Sequence, residues 1–264
     1  MQNILEIEDL KKTFTTKAGH HTAVDGVSLF IAPGEALGLV GESGCGKSTL
    51  AKAVTFLDPP DSGRIKICGR EVTAKNRTAL KEAYKNIQMV FQDPLTSFDP
   101  SLTLGKSIGA VLKKDLRCPK AQAAQITTEL LTKVGLSSDY ANALPTEISG
   151  GECQRAAIAR AIALKPKLLI CDEATSALDV SVQAQIIDLL ASLGRDMEMS
   201  FLFISHDLAL VTGFCDRVAV MYNGKIVEAA TSHQILTAPQ HPYTKALLGS
   251  WDLNSDSPAE LRYS

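Results

Sequence analysis

Residues 36–49 read ALGLVGESGCGKST: five apolar residues break into a glycine-rich turn, and residues of helical composition follow. This stretch restricts the fold more than any other. A short, wholly apolar segment belongs in a buried strand. Gly41, Gly46, Lys47 and Ser48 then satisfy the pattern G-x4-G-K-[ST]. Glycines at these positions let backbone amides, those of Glu42, Ser43, Gly44, Cys45 and Thr49 among them, turn inward around phosphate oxygens. The N-terminus of the next helix adds its unpaired N–H groups. Lys47 offers a point charge to β and γ oxygens, and Ser48 offers its hydroxyl to Mg2+.

The rest of the chain supplies matching pieces. LEIEDLKKTF near the start and AVDGVSLFI read as strands, as do GRIKICG and IQMVF. KLLICDE and SFLFISHD are apolar runs ending in polar residues, with the helical AQIIDLLASL between them. RVAVMYNGKIVEA reads as a hairpin about Asn223-Gly224. Strands alternating with helices predict a mainly parallel sheet with ligands at its strands' C-terminal ends. From about residue 94 to 165 the texture changes. PKAQAAQITTELLTKVGL has helical spacing, with Pro119 suited to a helix start, so this stretch is expected to be a mostly helical insert. The last fifteen residues are polar and expected to be poorly ordered.

Composition narrows the function classes. A net charge of -2 over 264 residues gives no basic face, so nucleic acid is not expected as a partner. No apolar run reaches the roughly 18 residues of a membrane span. The start, MQNILEIEDL, carries acids where a signal peptide carries bases, so a cytosolic protein is expected. Six scattered cysteines without a C-x-x-C pair fit reduced thiols rather than disulfides or zinc.

Polar residues cluster after the apolar runs. LLICDE delivers Asp172 where a carboxylate can meet Mg2+, and Glu173, one residue on, can order and polarise an attacking water. FISHD places His206 where an imidazole can contact a γ-phosphate, and MVFQDP ends in Gln92, whose amide can reach Mg2+ and water. A second anion-suited turn, EISGGECQR at 147–155, sets Ser149, Gly150 and Gly151 at the start of a helix.

Together these motifs resemble the ATP-binding-cassette (ABC) family over nearly the whole chain. The resemblance implies an α/β fold: a RecA-like P-loop core with an antiparallel β subdomain and an inserted α-helical subdomain. It also implies one nucleotide-binding domain over 1–250, the helical part at about 94–165, and a short polar tail at 251–264. GESGCGKST is similar to the Walker A loop, LLICDE to Walker B with its catalytic glutamate, Gln92 to the Q-loop residue, SALD at 176–179 to the D-loop, and His206 to the switch histidine. Phe14 stands where the family has an aromatic that stacks on adenine; a half-buried strand residue is the alternative. ISGGE resembles the signature motif, which in the family closes in trans over the γ-phosphate held by a second cassette. It departs from the usual sequence at Ile148 and Glu152. Glu152 sets a carboxylate near the nucleotide, where it either accepts from ribose hydroxyls or repels phosphate.

The resemblance implies ATP hydrolysis with ATP and Mg2+. IQMVFQDPLTSFDP and HPYTKALL resemble importers of the dipeptide, oligopeptide and nickel group. This implies a second ATPase subunit, two transmembrane permease subunits, an extracytoplasmic binding protein, and a place at the cytoplasmic face of the membrane. The last cysteine is Cys215, so the iron–sulfur element of some members is not expected. Two other readings stay open. One is a soluble cassette ATPase acting on protein or nucleic acid; the other is a small-molecule P-loop kinase, which has no need of ISGGE.

Overall fold

The computed structural model describes residues 2–16, 19–175 and 178–252. Two long strands, β1 (Leu5–Thr16) and β2 (Gly19–Ile31), pair antiparallel and lead into the buried β3 (Ala36–Val40). After the glycine turn come α1 (Lys47–Val54), β4 (Ser62–Ile67), β5 (Arg70–Val72), α2 (Arg77–Asn86) and β6 (Ile87–Val90). The helical stretch contributes α3 (Leu104–Leu116), α4 (Lys120–Lys133) and α5 (Gly150–Ile162). The chain continues through β7 (Leu168–Asp172), α6 (Val180–Met197), β8 (Ser200–Ile204) and α7 (Leu208–Phe214). It ends in β9 (Arg217–Tyr222), β10 (Lys225–Thr231), α8 (Ser232–Thr237) and α9 (Pro242–Asp252).

Two sheets result. One is antiparallel, in the order β2-β1-β4-β5; the other runs β10-β9-β3-β8-β7-β6 and is parallel except for the edge hairpin to β10. The parallel strands are buried on both faces, and their alternate side chains build two cores. Leu169, Cys171, Phe201 and Phe203 join a cluster with Leu104, Ile108, Leu131 and Ile158 of the helical stretch. Leu168, Ile170, Leu202 and Ile204 face the other way, toward Leu50 of α1 and Leu5 and Ile7 of the antiparallel sheet. The mixed α/β architecture expected from the sequence is therefore present.

Several details differ from expectation. β6 and β8 stop at Val90 and Ile204, so Gln92 and His206 stand two residues past their strands rather than at their ends. After β8 the chain is turned by Ser205, whose hydroxyl accepts from the Asp207 amide (3.0 Å), and by Asp207, which caps α7. α3 shows Leu104, Ile108 and Leu112 as a buried stripe at helical spacing. α2 buries only Ala83 and is held at its start by Asn76, so it carries no apolar stripe for the eye to find. Of the last fifteen residues, 250–252 continue α9 rather than being irregular; residues 253–264 lie outside the described residues. Among the described residues no helix is long and apolar enough to cross a membrane.

Candidate nucleotide site

The phosphate loop links β3 to α1 along an unusual backbone path. Gly41, Gly44 and Gly46 have φ of 153°, 81° and 112°, values that side chains other than glycine's rarely tolerate. Space demands glycine as well. A Cβ on Gly46 would lie 2.0 Å from the Ala23 carbonyl oxygen, and one on Gly41 2.2 Å from that of Met221. The loop is thus packed on β2 and β9, and the Gly224 amide of the β9–β10 turn donates to the Cys45 carbonyl (3.0 Å). That turn has Asn223 and Gly224 both at positive φ, the geometry Asn-Gly favours.

Lys47 is buried and bends back into the loop, donating to the carbonyls of Gly41 (2.7 Å) and Glu42 (2.9 Å), with Cys45 Sγ 3.7 Å away. α1 begins at this lysine. Gly46 gives it no side-chain cap and its first turn has no acid, so its leading amides are available to an anion.

The hydroxyl of Ser48 donates to Asp172 Oδ1 at 2.9 Å, which joins the phosphate loop to the end of β7. Asp172 is buried, and burial pushes its carboxyl above the ordinary value while the Ser48 bond acts against this. Two hard oxygen ligands from the protein, with phosphate and water to complete an octahedron, fit Mg2+. Among the described residues no group of three or more His, Cys, Asp or Glu side chains could hold a metal by itself. Glu173 follows Asp172 at φ 49°, where the chain leaves the strand in a left-handed turn, and its amide donates to the Ile204 carbonyl (3.0 Å). A non-glycine residue held there is the kind of strain found at functional sites. Gln92 and His206 are both exposed at the same ends of the parallel strands.

Phe14 is half-buried on β1, opposite His21 of β2, with the Lys12 ammonium 5.5 Å from its ring centroid. A cleft of about 300 Å³ lies between His21 on the strand side and Gly44 and Cys45 on the loop side. A second cleft, about 1460 Å³, opens at the other ends of the strands, near Ala36, Lys167 and Phe201, away from these residues.

ISGGE is built differently. Ser149 is the N-cap of α5, and Glu152 closes a capping box with it. Glu152 Oε2 accepts from the Ser149 amide (2.9 Å) and hydroxyl (2.7 Å), while Oε1 accepts from the Tyr140 hydroxyl. The Tyr140 bond, followed by those from Ser149, holds the carboxyl below its ordinary value. Glu152 is therefore engaged within its own chain, as neither of the sequence alternatives foresaw. Gly151 lies against the start of α6: a Cβ there would be 2.8 Å from Val182 Cγ1. Of the D-loop stretch, Ser176 and Ala177 lie outside the described residues. Arg160 of α5 stacks over Phe98 (4.4 Å) and donates to the Ser97 carbonyl, tying the loop after Gln92 to the signature helix.

One contact was not readable from the sequence. The Glu42 amide donates to the hydroxyl of Tyr243 on α9 at 3.0 Å. The two residues are 201 positions apart, and no local pattern links them.

Comparison with known proteins identifies the family. The ABC transporter family profile matches residues 24–176. The oligopeptide transport ATP-binding protein OppF of Salmonella typhimurium is 44% identical over 257 residues, covering 94% of this chain and 77% of the relative. AppF of Bacillus subtilis, another oligopeptide transport ATP-binding protein, is 44% identical, covering 94% and 78%. The glutathione import ATP-binding protein GsiA of Pectobacterium atrosepticum is also 44% identical over 94% of this chain, but over only 41% of its own length. Among solved structures, a dimeric post-hydrolysis state of the ATP-binding cassette MJ0796 with ADP and Pi superposes with a TM-score of 0.79. It is 27% identical and covers 86% of this chain and 98% of that one. CbiO1 of Clostridium perfringens gives 0.78 at 26% identity, covering 96% of each chain. The chain belongs to the ABC transporter family, and the reaction of its nucleotide site is ATP hydrolysis.

Proposed function

We propose that this chain is the ATP-hydrolysing subunit of a bacterial peptide importer, and that it works paired head to tail with a second cassette. Support for the peptide class comes from the oligopeptide and glutathione relatives. Nickel, the other substrate class that the tail segment suggested, is named by none of these three. In this reading residues 1–250 form a single nucleotide-binding unit at the cytoplasmic face of the membrane. About 94–165 form its helical part, a short polar tail follows, and the partners are two permease subunits and a binding protein.

The observation that carries the paired mechanism is the unequal pair of helix starts. At α1 an uncapped N-terminus is combined with Lys47, Ser48 and Asp172. At α5 the turn has its own cap and, among the described residues, no such companions in hydrogen-bond contact. One chain thus supplies a full phosphate cradle and, elsewhere, a serine and two glycines suited to a γ-phosphate held by another chain.

On binding ATP, the Lys47 ammonium leaves the Gly41 and Glu42 carbonyls for the β and γ oxygens, and the loop amides from Ser43 to Thr49 surround the phosphates. Ser48 and Asp172, with Gln92, would hold Mg2+, which would supply positive charge to offset that developing on the phosphates. Glu173 takes a proton from the attacking water, and His206 contacts the γ-phosphate. Phe14 stacks on adenine above the cleft by His21. Ser149 and Gly150 of the second cassette close the site, so ATP favours the closed pair; loss of the γ-phosphate contact after hydrolysis lets it open.

Co-expression with two permease subunits and a second cassette tests this. Recovery of the four-chain assembly, with ATP turnover raised above that of this chain alone and stimulated by peptide, is the expected result. Full activity of the chain alone, or recovery with soluble partners only, overturns the transport reading and leaves ATP hydrolysis standing.

A further inference from the structure

We propose that Tyr243 is a positioning residue of the ATP site, holding the first peptide of the phosphate loop from the C-terminal helix. The Gly41–Glu42 peptide is gripped at both ends. Its carbonyl accepts from the Lys47 ammonium (2.7 Å), and its N–H donates to the Tyr243 hydroxyl (3.0 Å). These two grips differ in what nucleotide does to them. When phosphate draws the ammonium away, the carbonyl grip is released, and the tyrosine still fixes the start of a loop whose glycine conformations other residues rarely adopt.

The tyrosine itself is rigidly placed. Its ring packs on Tyr222 with centroids 4.3 Å apart, at the end of the strand whose Met221 carbonyl abuts Gly41. The lead-in to α9 is anchored as well. Glu228 of β10 accepts from the amides of Gln240 (2.8 Å) and His241 (3.0 Å), and His241 Nδ1 accepts from the Tyr243 amide (3.2 Å). Pro242 opens the helix, a position where its missing N–H costs nothing. The segment HPYT thus delivers a phenol to the phosphate loop, a physical task for a stretch outside every nucleotide motif.

The test is Tyr243→Phe in the full chain. It removes the hydroxyl and keeps the ring on Tyr222, so calorimetric Tm should fall by no more than about 4 °C. Affinity for MgADP, titrated calorimetrically, is expected to fall about fivefold, the size of one ordinary hydrogen bond. KM for ATP should rise by the same factor with kcat within about twofold, because the contact serves bound substrate and transition state alike. The Glu42 amide should also lose protection from hydrogen exchange. A fall in Tm with ADP affinity and Glu42 protection unchanged would show packing alone and overturn the proposal, as would no change in any of these quantities. The Tm, MgADP and hydrogen-exchange assays need no permease or second cassette, so their failure is distinct from failure of the transport reading.

Discussion

The starts of α1 and α5 are both glycine-rich turns suited to phosphate, yet they solve the problem of unpaired helix amides in opposite ways. α1 has no side-chain cap and no acid in its first turn; its neighbouring charge is Lys47. α5 is capped by Ser149, and the carboxylate of Glu152 accepts both the amide and the hydroxyl of that serine. The first turn is ready for an anion because its amides have nothing else to bond. In the second, Ser149 Oγ takes the Glu152 amide and the Glu152 carboxylate holds the Ser149 amide and hydroxyl, so in the proposed pairing that hydroxyl would reach a phosphate only by leaving Glu152. In the proposed pairing, the α5 turn would meet a phosphate only on closure, whereas the α1 turn can hold one within its own chain.

The largest expected break in this comparison is on the α1 side. Glu173→Gln should slow ATP hydrolysis by about 10² to 10⁴ while MgATP binding persists; near-normal turnover would remove the glutamate from its role. Next is backbone space. Gly46→Ala forces a Cβ to 2.0 Å from a backbone oxygen that cannot yield, at φ 112°. It should cost about 3 kcal/mol or more of stability in urea denaturation and abolish ADP binding. Gly151→Ala meets only a valine methyl at 2.8 Å, which can shift, so about 1 kcal/mol is expected and ADP binding should survive.

The two motif cysteines sharpen the contrast further. Cys45, buried in the phosphate loop, should be alkylated slowly and protected by MgATP. Cys153 is fully buried in α5, and burial first, then Asp93, pushes its thiol up to about 11; it should stay unlabelled with or without nucleotide.

The smallest effect is that of Glu152→Gln, which preserves a capping-box acceptor. The Glu152 carboxyl is held low in the folded chain, so its ionisation stabilises fully above the unfolded carboxylate pKa of about 4.3 and less as pH falls through the folded value. The stability difference between parent and variant should be flat from about pH 5 to 8 and narrow below about pH 4. Chemical denaturation across that range measures it.

The motifs were legible because phosphate chemistry fixes residue types within a few positions. Gly41 to Ser48 must be contiguous to wrap one anion, and Asp172 and Glu173 announce themselves at the end of an apolar run. Asn223-Gly224 foretold its hairpin for the same local reason. The surprises are set by tertiary neighbours. Glu152 could be seen in the signature, but its Tyr140 partner lies twelve residues back in a single 3-10 turn (Ser138–Asn142) too short to carry a periodic pattern. α2 was missed because a helix that buries one alanine has no apolar stripe. The Tyr243 contact joins points too far apart in sequence for any period to relate them.

Amide hydrogen exchange on Glu173→Gln with MgATP, comparing peptides spanning 41–49 and 147–155, tests the central claim most directly. In dilute chain alone, ATP should protect the phosphate loop and leave the signature turn unchanged; in the assembly with a second cassette, both should be protected. Protection of the signature turn in the dilute monomer, or its continued exchange in the ATP-loaded assembly, would contradict the assignment of the two turns to two different nucleotides.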